Sequence, residues 1–318
     1  MRCLCCNKEM TNPKEYEKSV SWHARCMKRF FGVPMLPEID LSEKALVQLA
    51  DKTIRKGLTV PGVQKKLSLH LDTVGKTARL TIVDYPTGYI LKPQSEEYSC
   101  LPEAEFLSMK MAEIAGIQTV PNALLPFRDK YAYVTKRIDR DGDQTYAMED
   151  FCQLSGRLTA DKYRSSYENC GKMIKTYSRN VGLDLTEFYY RLLFCFCMGN
   201  SDMHLKNFSL IEDQPGSRKF SLSAAYDMLP VNVIMPADKE QMALTLNGKK
   251  RNVKRKDFLI LAENLGISDK VAIGLMKQIV KHREAFGEEV KASYVSQEMK
   301  EQLWALIQKR MAVFDGIS

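Results

Sequence analysis

The first half of the chain contains short runs in which apolar and polar residues alternate, as they do in half-buried β-strands. The clearest run is Leu67, Leu69 and Leu71, and the apolar segment 80–83 follows it closely, so the two predict a β-hairpin. Further strands are predicted at 89–92, 122–125 and 131–134. Helical spacing predicts helices over 42–55, with Ser42 as N-cap, and over 102–115, with Gly116 ending the second one.

From Met148 onward the apolar spacing becomes helical. The segment 185–198 is mostly apolar, which predicts a helix buried at the centre of this part of the chain. More helices are predicted at 256–265, 270–285 and 295–314, and two short strands at 208–211 and 220–222. The pattern therefore predicts an α+β protein whose strands precede most of its helices.

Composition is that of a soluble globular protein, with 318 residues, 45% of them hydrophobic and 27% charged. There is no apolar run long enough to cross a bilayer and no signal peptide, so a cytoplasmic protein without membrane contact is expected. The net charge of +8 indicates a solvated basic surface or attraction to an anionic partner such as ATP, nucleic acid or an acidic protein. No motif for reading DNA bases is recognisable.

Two Cys/His pairs lie near the N-terminus. Cys3-x-x-Cys6 and His23-x-x-Cys26 have the spacing of pairs that together surround one tetrahedral zinc ion. A segment this short buries little core, so a structural zinc would supply its stability. Cys5 leaves the choice of ligands open, and the alternative is a reduced N-terminus without metal.

The most informative segment follows the predicted buried helix. Asp202 and Asn207 form a D-x-x-x-x-N motif, in which a kinase Asp reaches the attacking hydroxyl and the Asn holds magnesium. Further along, after a predicted hairpin, Asp227 stands where a kinase places its main magnesium ligand, although Tyr226-Asp227-Met228 departs from D-F-G. The alternatives are a capping Asp and a turn Asn for the first motif, and a helix N-cap for Asp227.

Two basic features in the first half suit phosphates. Lys92 ends a predicted strand, and Glu105 on the next helix is placed to orient it, with Glu103 as a competing carboxylate. The loop from Pro61 to Lys66 has backbone N–H groups and two lysines that suit phosphate binding, but it is neither a G-x-G-x-x-G loop nor a Walker A motif, and a simple turn is the alternative.

Three segments resemble the signatures of HipA-type kinases, a family of bacterial protein kinase toxins. They are Gly62-Val63-Gln64-x-Lys66-Leu67, Asn200-Ser201-Asp202-x-His204-x-Lys206-Asn207-Phe208-Ser209 and Ala225-Tyr226-Asp227. The segments 136–140, 148–153 and 248–250 also resemble family patterns, and the order is preserved over about residues 57–290. The resemblance implies a two-lobed protein-kinase-like fold. Its β-rich N-lobe would be 36–140 and its mostly helical C-lobe 141–318, after a small Cys/His zinc knuckle at 1–35.

The resemblance also implies a role for each matching residue. Asp202 would be the general base, Asn207 and Asp227 would bind Mg²⁺, and Lys92 with Glu105 would serve the phosphates of ATP. The remaining nucleotide contacts would be Pro61, Gly62, Val63, Gln64, Lys65, Lys66, the backbone of Lys136 to Ile138, His204, Lys206 and Tyr226. The family often autophosphorylates a serine just before the loop glycine, and Thr59 is the nearest equivalent.

Shorter members of this family lack an N-terminal subdomain that a separate small protein supplies. The chain resembles these shorter members, so the implied partners are such a small protein and a HipB-like helix-turn-helix antitoxin, with DNA contacted only through the antitoxin. The implied substrate is a Ser or Thr of a translation component such as an aminoacyl-tRNA synthetase. The alternatives are a small-molecule, aminoglycoside-type phosphotransferase and a catalytically dead antitoxin-binding module.

Overall fold

The computed structural model describes residues 1–39, 66–74, 77–83, 87–127, 129–142 and 144–315. The chain divides into two compact units. The first comprises Met1–Phe106 with Val120–Asp143, and the second comprises Leu107–Thr119 with Gln144–Ser318. The predicted helix at 42–55 lies outside the described residues.

The first unit contains a six-stranded sheet in the order β1-β3-β2-β4-β6-β5. Its strands are β1 (Glu38–Ile39), β2 (Leu67–Val74), β3 (Thr77–Val83), β4 (Tyr89–Lys92), β5 (Asn122–Phe127) and β6 (Lys130–Lys136). Strands β2 and β3 form the predicted hairpin, and only the β1–β3 pair is parallel among the described strands. The central strand β4 pairs Leu91 with Leu67 on one side and with Val134 on the other, and all three side chains are buried.

Among the described residues of the first unit, three helices begin: α1 (Glu15–Val20), α2 (Ala24–Phe31) and α3 (Leu101–Ile114). Helix α3 is the one predicted at 102–115. Gly116 ends this helix as predicted. Its φ of 84° is a left-handed conformation that glycine adopts without a Cβ clash.

The second unit is mainly helical. Its helices are α4 (Phe151–Leu154), α5 (Tyr167–Tyr177), α6 (Val181–Met198), α7 (Val231–Ile234), α8 (Arg255–Leu265), α9 (Asp269–Lys281), α10 (Arg283–Lys291) and α11 (Gln297–Met311). Between β6 and these helices lie the two-residue strands β7 (Arg140–Asp141) and β8 (Gln144–Thr145). A small antiparallel sheet consists of β9 (Met148–Asp150), β10 (Ser209–Glu212) and β11 (Phe220–Leu222), with β10 in the centre.

Helix α6 is the buried centre of this unit, as its apolar sequence predicts. Every residue from Phe188 to Met198 is buried. A buried guanidinium holds the end of the helix, since Arg310 on α11 donates to the Phe196 carbonyl at 3.3 Å and lies 4.6 Å from the Phe196 ring centroid. Burial lowers the pKa of Arg310 to about 10.

The prediction of one helix over 270–285 is wrong. Helix α9 ends at Lys281, His282 has ψ near 0°, and α10 begins at Arg283. The sequence conceals this break because apolar residues continue at helical spacing through it. Each short helix buries its own apolar face, with Met276 and Ile279 in the first and Phe286 in the second.

None of the helices in the described part of the chain is both long enough and apolar enough to cross a membrane.

Candidate active site

The loop after α6 is held in one conformation by its own polar groups. It begins at Gly199, whose φ of 70° ends the helix. The Asp202 backbone N–H donates to Oδ1 of Asn200 at 3.1 Å, and the Ser201 hydroxyl donates to Asp238 at 2.6 Å. A 3-10 helix at Leu205–Asn207 closes the loop. A loop fixed in this way can present side chains in a defined direction.

The Asp202 carboxylate is accessible and has a defined orientation. Its side chain is 43% exposed, whereas the neighbouring His204 side chain is buried. The hydroxyl of Tyr163 donates to Oδ1 of Asp202, and the Tyr163 ring contacts the His204 ring edge-on at 4.9 Å. Burial, followed by the bond to Asp202, raises the pKa of the Tyr163 phenol well above its usual range, so it remains a donor. The N-cap of the 3-10 helix is His204, so Asp202 does not cap it.

The side-chain amide of Asn207 is held through its nitrogen. Its Nδ2 donates to the Asp202 carbonyl at 2.8 Å, and the residue is buried. This bond uses the nitrogen end of the amide and leaves the oxygen end as the donor atom for a cation. An amide oxygen is a ligand that Mg²⁺ accepts.

The Tyr226–Asp227 segment is tied to the same loop. The Tyr226 hydroxyl lies 2.5 Å from the Ser209 hydroxyl and donates to the Lys206 carbonyl at 3.1 Å. Burial raises the pKa of Tyr226 far above its usual range, which keeps the phenol protonated. Asp227 itself has φ 59°, an unusual backbone conformation for a residue with a side chain. The next helix, α7, has Pro230 as its N-cap, so Asp227 is not an N-cap residue.

The ammonium of Lys206 is engaged by a carboxylate that the sequence did not reveal. Its Nζ lies 2.6 Å from Oδ2 of Asp150. Asp150 also caps α4 through a hydrogen bond from the Gln153 N–H, with the Gln153 side chain accepting from the Asp150 N–H in return. The D-x-x-Q capping box is a recognisable sequence signal, so Asp150 could have been found as a structural residue but not as the partner of Lys206.

In the first unit, Lys92 and Glu105 form a buried ion pair. The Lys92 Nζ lies 2.5 Å from Oε1 of Glu105, and both side chains are almost fully buried. The same ammonium lies 5.3 Å from the ring centroid of Tyr133, its neighbour across the β4–β6 pair. The contact therefore selects Glu105 as the carboxylate beside Lys92, while burial raises the pKa of Glu103.

The predicted adenine-binding backbone follows β6. The N–H of Lys136 donates to the Pro121 carbonyl at 3.0 Å, and the N–H of Arg137 donates to the Gly88 carbonyl at 2.8 Å. Arg137 also holds Asp139 with two hydrogen bonds of 2.9 and 2.6 Å. These contacts fix the segment that carries Ile138.

Of the other predicted site residues, some form a cluster near the N-terminus and most of the loop 59–66 lies outside the described residues. Cys3, Cys6, His23 and Cys26 come together, and their ligand atoms all lie within 4.8 Å of one another. Cys5 is buried but does not belong to this set. Lys66 is exposed. Thr59, Pro61, Gly62, Val63, Gln64 and Lys65 lie outside the described residues.

The fold is that of a kinase-like protein, and comparison with known proteins identifies its family. The family model for the HipA-like C-terminal domain matches residues 58–286, well over half of the chain. The chain belongs to this family of kinases. The predicted family and the predicted enzyme class are thereby confirmed.

Relatives and solved structures agree with this assignment. A Haemophilus influenzae protein named "Putative kinase" is 26% identical over 88% of both chains, and the Shewanella oneidensis serine/threonine-protein kinase toxin HipA is 24% identical. The Shewanella alignment covers 67% of this chain and 55% of that protein.

The fold matches two solved structures. One is HipA in the Shewanella oneidensis complex of HipA, HipB and operator DNA, with a TM-score of 0.69 and 18% identity over 85% of this chain and 72% of that one. The other is the Helicobacter pylori kinase CtkA, with a TM-score of 0.56 and 16% identity over 74% and 88% of the two chains. The predicted α+β kinase-like fold is confirmed.

Proposed function

We propose that the chain is an ATP-dependent Ser/Thr protein kinase and the toxin of a toxin–antitoxin system. The observation that carries the proposal is the arrangement around the 199–207 loop. It presents an accessible carboxylate at Asp202, holds the side-chain amide of Asn207 through its nitrogen, and is tied through Tyr226 to the segment bearing Asp227.

The donor set fits magnesium and ATP. Mg²⁺ prefers one or two carboxylate or amide oxygens together with phosphate oxygens and water, and Asn207 and Asp227 supply such oxygens. Lys92 would contact the α- and β-phosphates, oriented by Glu105, while Pro61 to Lys66, His204 and Lys206 would line the rest of the nucleotide site. Bound ATP with Mg²⁺ supplies the phosphoryl group for transfer.

Backbone hydrogen bonds in the segment 136–138, the proposed hinge, limit which groups can bind adenine. Because the N–H groups of Lys136 and Arg137 already donate to Pro121 and Gly88, the N–H of Ile138 is the hinge donor we assign to adenine. The carbonyl groups of Lys136 and Ile138 are candidate acceptors for the adenine amino group.

The base assignment follows from exposure and geometry. A protein hydroxyl must reach the base from outside, and the Asp202 carboxylate is the accessible acidic group of the loop. Its Oδ1 accepts a hydrogen bond from Tyr163, which orients the group, and the carboxylate would accept the proton of the attacking Ser or Thr hydroxyl. The expected contribution of such a base is about 10²–10⁴-fold in rate.

The proposed biology rests on the relatives. The Shewanella complex contains HipA and HipB together with operator DNA, and we propose a HipB-like antitoxin as the partner here, with DNA contacted only through it. A separate small protein is the other proposed partner. A translation component in the cytoplasm, such as an aminoacyl-tRNA synthetase, is the proposed substrate, and Thr59 is the proposed autophosphorylation site.

The test compares wild type with Asp202→Asn, which keeps the side-chain shape and removes the basic oxygen. Both are expressed from a tightly controlled promoter, growth is followed, and phosphopeptides are quantified. We expect wild type to arrest growth and phosphorylate a small set of Ser or Thr residues, and Asp202→Asn to do neither. Asp269→Asn, an exposed change at the first turn of α9, is the matched control and should behave as wild type.

Labelled ATP with purified protein separates the alternatives. Transfer of label to aminoglycosides rather than to protein would favour a small-molecule phosphotransferase. Growth arrest that persists in Asp202→Asn without any labelled product would favour an antitoxin-binding module. Phosphopeptide mapping of the purified chain also tests Thr59 directly, with Thr59→Ala as its control.

A further inference from the structure

The Cys/His set near the N-terminus has the dimensions of a tetrahedral metal site. The Cys6 Sγ and the Cys26 Sγ lie 3.5 and 3.8 Å from Nδ1 of His23. Zinc bound at its usual distances to one sulfur and one nitrogen separates those two atoms by about 3.6 Å in a tetrahedron. All four ligand atoms, including Cys3 Sγ, fall within 4.8 Å of one another.

Two local structures deliver the four ligands. A tight hairpin carries Cys3 and Cys6, closed by the Cys3 N–H to the Lys8 carbonyl at 3.0 Å, with Asn7 at a left-handed φ of 50°. The other pair comes from the start of α2, where His23 is the N-cap and Cys26 lies in the first turn. The dipole of α2 favours negative charge on a thiolate at this end of the helix.

A backbone N–H also stabilises the thiolate form of one of the sulfur ligands. The N–H of His23 points at Cys3 Sγ from 3.4 Å, a contact that stabilises a thiolate. Three thiolates packed around an imidazole would repel one another without a cation between them. Sulfur and nitrogen donors with no carboxylate in the set select zinc over Mg²⁺, and four protein ligands close the coordination shell as in a structural site.

The segment that carries these four residues packs on the sheet that carries Lys92. Trp22, fully buried, donates from Nε1 to the Leu124 carbonyl of β5 at 3.2 Å, and the Leu124 N–H donates to the Leu4 carbonyl at 2.8 Å. Leu4 lies between the two cysteines of the hairpin. The metal ligands are therefore connected to β5 by two hydrogen bonds through residues adjacent to them.

A second contact reaches β4. The hydroxyl of Tyr89, the first residue of β4, donates to the Phe30 carbonyl at the end of α2, at 3.0 Å. Burial raises the pKa of Tyr89 to about 12, so this donor stays protonated. The rings of Phe30 and Phe31 lie 5.8 and 5.5 Å from that of Tyr89, and both contact Trp22. Strand β4 ends three residues later at Lys92.

We infer that Cys3, Cys6, His23 and Cys26 hold one structural zinc ion, and that this ion stabilises strands β4 and β5 through Leu4, Trp22 and Phe30. The zinc site is separate from the nucleotide site. Its loss would loosen the sheet around the Lys92–Glu105 pair without removing any group proposed to act in phosphoryl transfer.

The first measurement is the metal content of the purified full-length chain. We expect about one zinc per chain by mass spectrometry, and Co²⁺ exchanged into the site should show thiolate charge-transfer bands in the near ultraviolet and d–d absorption typical of tetrahedral cobalt. A chain that carries no zinc after purification in zinc-containing medium and gives no such cobalt spectrum would overturn the inference. So would a thiol titration showing a disulfide within the set.

Variants test the ligand choice. Cys26→Ser should lose zinc, whereas Cys5→Ser, which alters the buried cysteine outside the set, and Cys100→Ser should keep it. Equal loss of zinc in Cys5→Ser and Cys26→Ser would contradict the assignment. Should Cys26→Ser fail to fold, the cobalt spectrum of Cys5→Ser keeps the ligand choice testable, because its thiolate charge-transfer bands should match those of wild type.

Hydrogen exchange tests the structural role. Removing zinc should lower the melting temperature by at least ~5 °C and speed amide exchange in 89–92 and 122–127, while exchange within α6 changes little. Unchanged exchange in both strands after complete zinc removal would contradict the proposed support of the sheet. None of these readouts depends on kinase activity, so they stand whether or not the proposed function is correct.

Discussion

The hydroxyl of Tyr163 donates a hydrogen bond to Oδ1 of Asp202, and the Tyr163 ring rests edge-on against His204. This contact joins the segment before α5 to the loop after α6, which are distant in sequence. It occupies one oxygen of the proposed base and limits the rotation of a carboxylate that is otherwise 43% exposed. Tyr163 is therefore a positioning residue for the proposed reaction.

Tyr163→Phe is expected to lower kcat about tenfold and leave the KM for ATP unchanged, because the phenol orients the base and is not assigned to the nucleotide. A hydrogen bond to the charged carboxylate also favours its ionised form, so its removal should shift the acid limb of the pH–rate profile to higher pH. The measurement is kcat against pH with a protein substrate. An unshifted profile would show that the phenol has a structural role only.

The sequence predicts the central strand and helix of the two units well because their patterns are uninterrupted. Strand β4 has the predicted bounds Tyr89–Lys92, and α6 extends the predicted helix only at its start, to Val181. The prediction for 270–285 was wrong because the helical spacing of apolar residues continues across the junction between α9 and α10. The Tyr163–Asp202 contact had no signal at all, since it joins side chains from two segments whose approach is set by packing and not by local spacing.

The same contrast between local pattern and tertiary contact applies to the site residues. Motif spacing singled out Asp202, Asn207 and Asp227, and the structure brings the first two into direct contact. Glu103 competed with Glu105 as the candidate carboxylate, because both stand near the start of one helix. Only the contact of Glu105 with Lys92 separates them. The roles themselves remain predictions.

The Lys92–Glu105 pair is expected to behave as a buried ion pair. Lys92→Met leaves the Glu105 carboxylate buried without its ammonium, which should lower the free energy of unfolding by about 3–5 kcal/mol. Lys92→Met with Glu105→Gln should recover much of that loss, since no charge remains to be buried. Urea unfolding of both single variants and the double variant measures the coupling.

Kinase activity of the double variant distinguishes a role of Lys92 in phosphate binding from a purely structural role of the Lys92–Glu105 pair. If Lys92 serves phosphates as proposed, the stable double variant should remain inactive at saturating ATP. A double variant that regains activity along with stability would show that the pair is structural alone.

Gly199 is expected to resist substitution for two separate reasons. Its φ of 70° strains any other residue, and a Cβ there would lie 2.4 Å from Cδ2 of Leu306. Gly199→Ala should lower stability by about 2–3 kcal/mol, of which about 1 kcal/mol is backbone strain. Gly216→Ala is the matched control, because Gly216 has φ 74° with open space around its Cβ position. If both variants lose the same stability by urea unfolding, the contact with Leu306 costs nothing.

Asp257 near the start of α8 is held by Lys249, one residue of the 248–250 segment. Its fully buried carboxylate accepts from Lys249 Nζ at 2.7 Å, Asn247 Nδ2 at 2.8 Å and the Lys254 N–H at 2.9 Å. Burial by itself raises the pKa of Asp257, but the hydrogen bonds from these three partners outweigh it and hold the pKa below its usual value. A carboxylate with a lowered pKa stabilises the folded state above its ordinary pKa, near pH 4, and this contribution is lost as the pH falls further.

Asp257→Asn should therefore cost about 3 kcal/mol at pH 7, and the difference from wild type should shrink as the pH is lowered from 5 towards 3. The measurement is urea unfolding of both proteins across that range. Glu263→Gln, an exposed change on the same helix, controls for the loss of one negative charge and should show little difference from wild type at any pH. A stability gap that stays constant from pH 7 to pH 3 would mean that the shape of Asp257, and not its charge, anchors the start of α8.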